Sequence, residues 1–184
     1  MTYGRRLIWL IYRDGRCVGT IGISDCTTFG QKTRDDFIGW TKDDRKANIH
    51  KLVTNYRFTL IYQIPNLASK VLGIVAKIAR KQWMEKYGRE IVGIDTVVKP
   101  PRTGACYRAA GWVQLGQTLG GEEQYQSSIG VTKTKFAEPL LVFFKPLVPD
   151  FRERLIEYND LKWFFDLNEG LQELKEVSVS HLTQ

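Results

Sequence analysis

The feature that most constrains the fold is an apolar strand followed at once by a long amphipathic helix and a second apolar strand. Residues 56–64 (YRFTLIYQI) favour β-structure almost without interruption, as expected for a central strand covered on both faces. Pro65 ends this strand, and residues 66–87 then repeat apolar side chains at helical spacing until Gly88. The next apolar strand lies near residues 91–98. Such a crossover is right-handed and makes its two strands parallel, which predicts an α/β sheet.

The other segments add strands and helices around this unit. Two β-rich runs, 5–12 and 16–23, flank an Asp14-Gly15 turn and predict a hairpin. Thr41 forms a capping box with Asp44 and predicts a helix start after a polar loop. Further expected elements are a short helix near 104–110, strands at 112–116 and 138–147, a polar excursion over 120–136 and an amphipathic helix over 151–165. We therefore expect a mixed sheet of about six strands flanked by helices over residues 1–150, with a C-terminal helical extension over 151–184 packed on it.

Composition excludes several classes of protein. No segment of the 184 residues approaches the roughly 18 consecutive apolar residues of a membrane helix, so we expect no membrane association and a cytoplasmic chain. The three cysteines, Cys17, Cys26 and Cys106, form no C-x-x-C pair and lie far from the two histidines in sequence. We therefore expect free thiols and no metal site.

The charge is distributed unevenly along the chain. The first 120 residues hold 20 Lys plus Arg against 9 Asp plus Glu, a balance of +11, whereas the remainder holds 7 against 11, a balance of −4. A basic body favours a polyanionic partner such as DNA. The candidate nucleic-acid-binding residues are Arg34, Trp40, Lys42, Arg45, Lys46 and Lys51. Alternatively, the cations form a solvated helix face and the tryptophan closes the core.

A few polar side chains interrupt otherwise apolar segments. Asp95 lies inside VGIDTVV, where a carboxylate is costly unless it is used as a base or paired with Arg108 or a lysine. Tyr107 in YRAAGW is either a proton donor or a half-buried core aromatic. Ser69, three residues after Asn66, either orients a donor group or satisfies backbone amides in the first helical turn. Asn66, Ser69 and Arg108 are the candidate donor-binding residues.

The order of elements resembles the plan of GNAT-type acyltransferases. That family carries a tyrosine in the corresponding short helix, followed by a glycine and an aromatic residue, where this chain has Tyr107 and Gly111-Trp112. The resemblance implies that Tyr107 protonates a leaving thiolate. The family's glycine-rich pyrophosphate loop has no counterpart in IPNLASKVLG. The cofactor therefore stays open, with an acyl donor as one candidate and acetyl-CoA disfavoured.

Three separated motifs carry a further resemblance. FIGWTKDDRKANIHKLVTNYRF, PNLASKVLG and TGACYRAAGWVQLGQTLG are similar, in this order, to the DruA-type domain of Druantia anti-phage systems and transposon-associated proteins. The Asn-x-x-Ser-x-x-Leu-Gly spacing from Asn66 and the Tyr-x-Ala-x-x-Trp spacing from Tyr107 also resemble phage Mom-like proteins. Mom-like proteins are associated with adding a small carbon–nitrogen group to adenine in DNA.

These resemblances lead to one main functional prediction. We expect a phage- or defence-associated DNA-modification transferase that adds a small group to a nucleobase amine, with Asp95 as base, Tyr107 as acid and Ser69 orienting the donor. The alternatives are a non-catalytic nucleic-acid-binding module of an anti-phage or transposition system, and an acyl-CoA N-acetyltransferase. DNA is the expected partner, and a homo-oligomer is a candidate state.

Overall fold

The described residues build one large sheet and a separate two-stranded ribbon. The structure is a computed structural model that describes residues 4–26, 31–126 and 132–156. The described strands are β1 (Arg6–Arg13), β2 (Arg16–Asp25), β3 (Leu52–Leu60), β4 (Gly93–Val98), β5 (Val113–Gln117), β6 (Gly121–Gln126), β7 (Thr132–Ala137) and β8 (Leu141–Pro146). Six of them form the sheet in the order β1-β2-β3-β4-β8-β5, and β6 pairs with β7. The expected α/β class and mixed six-stranded sheet are confirmed.

The sheet is antiparallel except at its centre. The pair β3 and β4 is parallel, as the crossover predicted, and the other neighbouring strands of the sheet are antiparallel. The described helices are α1 (Lys32–Ile38), α2 (Lys42–Asn48), α3 (Leu67–Tyr87), α4 (Ala105–Ala109) and α5 (Phe151–Ile156), and a 3-10 turn spans Ile49–Lys51. No described helix is long and apolar enough to span a membrane.

Two apolar cores lie on opposite faces of the sheet. The long helix α3 turns one side toward the sheet and buries Val75, Ala79 and Trp83 there. Phe143 of β8 belongs to this first core, whereas its neighbour Phe144 packs in the second core with residues of α1 and α5. Because successive side chains of a strand point to opposite faces, these two phenylalanines mark the two sides of the sheet. We call them the α3 face and the α1 face.

Several boundaries differ from the sequence prediction. Helix α1 lies in the expected polar loop, with the Gln31 side chain accepting a hydrogen bond from the Arg34 backbone N–H. Strand β3 begins at Leu52 and not at residue 56, because Leu52 and Val53 are fully buried and pair with β4. The expected excursion over 120–136 contains β6 and β7. Of the helix expected over 151–165, residues beyond 156 lie outside the described residues, and the division into two segments stays a prediction.

Candidate functional site

A cleft opens where the two central strands separate. Strands β3 and β4 pair only over three rungs, the last of which joins Thr54 to Asp95. Beyond this rung β3 continues beside β2, while β4 continues beside β8. The resulting cleft has a volume of about 400 Å³. Its lining includes Asn55, Arg57, Thr96, Lys99, Arg102 and Tyr107.

Tyr107 lies at the base of this cleft in a defined hydrogen-bonded pair. Its hydroxyl group donates to Oδ1 of Asn55 at 2.8 Å. The Asn55 amide nitrogen in turn donates to the carbonyl oxygens of Gly22 at 2.8 Å and Arg57 at 3.0 Å. Burial of the phenol raises the pKa of Tyr107 to about 12. The side chain therefore keeps its proton at neutral pH, and this proton is donated to Asn55 Oδ1.

Packing around α4 fixes the position of the tyrosine ring. The ring stacks on Phe143, with centroids 5.4 Å apart, and meets the edge of Trp112 at 5.1 Å. Helix α4 begins after Gly104, whose φ is +70°. A Cβ atom at Gly104 would lie 2.3 Å from the Phe143 ring, so only glycine allows this approach. The YRAAGW motif thus holds Tyr107 through its backbone turn and its following tryptophan.

The two polar residues at the start of α3 are engaged locally. Ser69 donates its hydroxyl hydrogen bond to the carbonyl oxygen of Asn66 at 3.1 Å. Asn66 has a φ of +60°, and its side chain makes no capping hydrogen bond. Neither residue lines the cleft. Arg108 is exposed and donates to the carbonyl oxygen of Thr103 and to the Gln114 side chain, both at 2.8 Å. The donor-binding roles of these residues stay predictions.

Asp95 does not share a site with Tyr107. It lies opposite Phe144 in the β4–β8 ladder and therefore on the α1 face, whereas the following residue, Thr96, faces the cleft with Asn55. The expectation of one site containing both Asp95 and Tyr107 is wrong, because neighbouring positions of β4 alternate between the two faces. Nor is Asp95 paired with Arg108 or a lysine, since Arg34 is its salt-bridge partner.

A buried arginine cluster surrounds Asp95. We use this term for Arg34, Asp35, Asp95, Cys26, Thr54 and Arg45. Arg34 is 1% exposed and binds Oδ2 of Asp95 at 2.8 Å and Oδ1 of Asp35 at 2.9 Å. The Thr54 hydroxyl donates to Oδ1 of Asp95 at 2.5 Å. These contacts satisfy both oxygens of a carboxylate that would otherwise be costly to bury.

Cys26 lies within the same cluster but in a form that is poorly suited to nucleophilic chemistry. Its sulfur is 2.9 Å from Nη1 of Arg34 and 3.2 Å from Oδ2 of Asp95. Burial, followed by the negative charge of Asp95, raises the pKa of the Cys26 thiol above its usual range. The thiol is therefore protonated at neutral pH.

Part of the expected nucleic-acid surface is turned inward. Arg34 lies inside the protein and is held by two carboxylates, so its predicted role as a phosphate contact is wrong. Trp40 is buried and donates its ring N–H to the carbonyl oxygen of Leu155 at 3.2 Å, so it closes the second core and presents no ring to a base. Arg45 is largely buried and pairs with Asp35 at 2.7 Å.

The lysines of the same set are more exposed. Lys51 donates to the carbonyl oxygen of Arg154 at 2.5 Å. Lys46 lies 3.6 Å from Asp43 on the surface of α2, where Lys42 is exposed as well. The six residues therefore do not form the common cationic surface that sequence proximity predicted. Contact of these lysines with DNA stays a prediction.

The sequence reasoning missed the polar residues that line the cleft. Asn55 directly precedes the apolar run 56–64, and Arg57 lies within that run. Lys99 and Arg102 flank the two prolines after β4. A signal for Asn55 was present, because an amide next to a continuous strand needs several partners if it is buried. Its partners come from β2 and α4, which sequence proximity does not show.

The family of the chain follows from comparison with known proteins. A family model described as Druantia protein DruA matches residues 1–138. The chain belongs to this family. The match confirms the resemblance of the three motifs to the DruA-type domain, whereas the Mom-like resemblance stays a prediction. No curated protein matches this DruA chain.

Several solved structures are similar to this DruA chain at low identity. An aminoglycoside acetyltransferase AAC(6')-Ib in complex with coenzyme A and kanamycin is 15% identical over 81% of this chain and 70% of its own, with a TM-score of 0.45. FeeM, an N-acyl amino acid synthase from uncultured soil microbes, is 14% identical over 80% and 75%, with a TM-score of 0.41. Ribosomal-protein-S5-alanine acetyltransferase from Vibrio fischeri is 15% identical over 74% and 57%, with a TM-score of 0.39. These likenesses are weak, and the fold described above rests on the strand order and pairing of the chain itself.

Proposed function

We propose that this DruA protein is a transferase that modifies a nucleobase amine in DNA and that its donor binds in the cleft between β3 and β4. The observation that carries the proposal is the buried pair of Tyr107 and Asn55 at the base of a cleft with cationic walls. Arg57, Lys99 and Arg102 supply three positive side chains around this pair. Such side chains suit a donor that carries phosphate or carboxylate groups.

The chemistry follows from the protonation state of the tyrosine. The amine nitrogen attacks the carbon of the donor, a nitrogen–carbon bond forms, and the bond from that carbon to its leaving group breaks. Tyr107 turns its O–H from Asn55 Oδ1 to the leaving group, an alkoxide, gives it the proton and is reprotonated from solvent. The acceptor nitrogen loses its proton to solvent at the open mouth of the cleft. A phenol whose pKa is raised to about 12 keeps its proton at neutral pH and can give it only to a leaving group that is a stronger base, such as an alkoxide.

The nucleosides of DNA from a bacterial host that expresses the chain provide the test. We expect a new nucleoside, detected by mass spectrometry, in cells that express the unmodified chain. The control variant Tyr87→Phe, which leaves Tyr107 in place, should give the same nucleoside. Tyr87 also hydrogen-bonds through its hydroxyl group, to the Arg6 backbone, so its substitution removes a similar bond away from the cleft. Tyr107→Phe should lower the amount of the modified nucleoside by about 100-fold or more. Absence of any new nucleoside, or full yield from Tyr107→Phe, would contradict the proposal.

A second candidate function is a non-catalytic nucleic-acid-binding module. The cationic lining of the cleft favours it as well, because phosphate contacts need no chemistry. In that case the chain binds DNA, no nucleoside changes, and Tyr107→Phe alters neither result. The third candidate, an acyl-CoA N-acetyltransferase, predicts that acetyl-CoA raises the melting temperature of the purified chain.

A further inference from the structure

Among the described residues, no helix covers one half of the α1 face of the sheet. On β1, Leu7 and Ile11 point into the first core, whereas Ile8, Leu10 and Tyr12 are 52%, 60% and 61% exposed. Helix α1 packs against β5 and β8, and α2 packs against α5, at the other half of the sheet. The edge strand β1 therefore presents a partly apolar surface to solvent.

This surface continues into the cleft. In the β2–β3 ladder Gly22 pairs with Arg57 and Ile23 with Asn55, so Tyr56 is an extra, bulged residue. The Tyr56 ring lies over Gly22, where a Cβ atom would be 3.0 Å from the ring. Tyr56 and Arg57 also line the cleft. We use the term open face for the exposed side chains Ile8, Leu10 and Tyr12 together with Tyr56 and Arg57.

The end of the sheet at which the cleft opens is cationic. Segments 12–20, 56–70 and 97–102 meet there, because the turn between β1 and β2 lies beyond the end of β3, as the hydrogen bond from Ile61 N–H to the Val18 carbonyl shows. These segments contain Arg13, Arg16, Arg57, Lys70, Lys99 and Arg102 against the single acid Asp14. Such an excess of positive charge attracts a polyanion.

Aromatic side chains lie among these cations. Tyr12 and Tyr56 belong to the open face, and Tyr62, which is 59% exposed, lines a cavity of about 390 Å³ together with Arg13 and Arg16. Aromatic rings beside cations suit single-stranded nucleic acid, since bases stack on the rings while the backbone follows the positive charge. A base in a duplex is stacked and paired, and must leave the helix before it can enter a cleft of this size.

We infer that single-stranded DNA binds across the open face and delivers a base to the cleft between β3 and β4. Bases stack on Tyr12 and Tyr56 of the open face, where Arg57 contacts a phosphate. Arg13 and Arg16 pair with each other and face the α3 side of the β1–β2 turn beside Val18, so the strand reaches them where it passes over the end of the sheet. This inference rests on the proposed function for the identity of the acceptor, but the binding surface itself is independent of any transfer reaction. It moves the expected nucleic-acid contacts from helices α1 and α2 to the opposite end of the sheet.

Fluorescence anisotropy with the purified chain tests the inference. The probe is a labelled oligothymidylate of about 16 nucleotides, the upper end of the length that one small binding domain covers, and it is compared with a duplex of equal length. Tyr12→Ala should weaken binding to the single strand about fivefold or more. Arg13→Gln with Arg16→Gln should lower the dependence of log affinity on log salt by about 1.4, which is 0.7 for each lost phosphate contact.

The matched control removes two charges at the other end of the molecule. Lys42→Gln with Lys46→Gln should leave affinity for the oligothymidylate within about twofold, because any remaining effect is long-range and screened by salt. Circular dichroism confirms that each variant is folded. Equal affinity for Tyr12→Ala and the unmodified chain would overturn the inference, as would loss of binding in the lysine variant alone or a preference for the duplex.

Three further outcomes separate the alternatives. Sedimentation that shows a dimer, dissociated by Leu10→Ser, would make the open face an interface between copies of this chain and overturn the inference. Binding of the oligothymidylate without any modified nucleoside in cells would support the surface and reject the transferase. The opposite result would support the transferase and reject the surface: cells contain a modified nucleoside, its amount is unaffected by Tyr12→Ala, and binding of the oligothymidylate is undetectable.

Discussion

Replacing Arg34 by methionine should destabilise the folded chain severely. Arg34 is 1% exposed and binds two carboxylates, Asp35 and Asp95, at 2.9 and 2.8 Å. Methionine has a similar length but supplies no charge and no N–H donor. The substitution therefore leaves two carboxylates in the interior with one guanidinium, that of Arg45, at their edge.

The magnitude follows from the partners that remain. Removing one member of a buried ion pair costs about 3–5 kcal/mol, because the other charge stays desolvated. Asp35 keeps Arg45, and Asp95 keeps the hydroxyl of Thr54, so we expect about 3–4 kcal/mol, toward the lower end of that range. Since natural domains are stable by about 5–15 kcal/mol, such a loss is a large fraction of the total.

Urea unfolding followed by far-ultraviolet circular dichroism measures this loss. Lys32→Met on the same helix is the matched control, because Lys32 is 71% exposed and pairs only at the surface with Asp36. It should change the free energy of unfolding by less than about 0.5 kcal/mol. Combining Arg34→Met with Asp95→Leu should be less harmful than the sum of the two single changes. A loss below about 1 kcal/mol for Arg34→Met, or strict additivity in the double variant, would refute the reasoning.

Three other predictions concern the cleft and the thiols. Gly104→Ala should lower the free energy of unfolding by about 2–4 kcal/mol, since it adds a clash with the buried Phe143 ring to the strain of a left-handed backbone. Gly15→Ala has a similar backbone but meets no atom within 4 Å, and it should cost about 1 kcal/mol. Comparable urea midpoints for the two variants would contradict this prediction. The raised pKa of Tyr107 contributes stability that is present below about pH 10 and lost as the pH rises toward about 12. The free energy of unfolding of the Tyr107→Phe variant should therefore fall less steeply with pH in this window. Equal pH slopes for the variant and the unmodified chain would count against this prediction. Iodoacetamide should alkylate the exposed Cys17 in the native chain and reach Cys26, whose thiol pKa is raised by burial, only after unfolding; the reverse order of labelling, read by peptide mass, would contradict the buried position.

The sheet was largely predictable because its signals are local. The β1–β2 hairpin follows from an Asp-Gly turn between two β-rich runs, and the parallel central pair follows from the long helix between its strands. Helix α1 was missed for a physical reason. Its inward-facing side chains include Arg34 and Asp35, so KTRDDFI lacks the apolar stripe by which an amphipathic helix is recognised. The burial of Arg34 is explained by its partner Asp95, 61 residues away, and the burial of Asp35 by its ion pairs with Arg34 and Arg45.

The candidate site was predictable in part. The YRAAGW motif singled out Tyr107, which the structure places at the cleft with its hydroxyl bound to Asn55. The total of positive charge was also informative, but its location was not. A count of cations does not distinguish Arg34, paired inside the protein, from Arg57, which is free to line the cleft. That distinction depends on which strand position faces which side of the sheet.

The alternation of side chains along β4 gives Asp95 an expected structural role, whereas its sequence context suggested a general base. Thr54 and Asp95 form the last rung of the β3–β4 ladder, and the next residues, Asn55 and Thr96, already face the cleft. If Asp95 holds β3 and β4 together at this rung, Asp95→Asn should lower the stability of the chain and weaken transfer together. The buried arginine cluster loses a negative charge, and the two strands are then held less firmly at the point where the cleft begins. If Asp95 is a base, Asp95→Asn should abolish transfer even where the variant is folded, whereas Thr54→Val should lower stability and leave transfer in proportion to the folded fraction. Measuring both quantities on one variant, with Thr54→Val as a comparison that removes the Asp95 hydrogen bond and no charge, decides between the two roles.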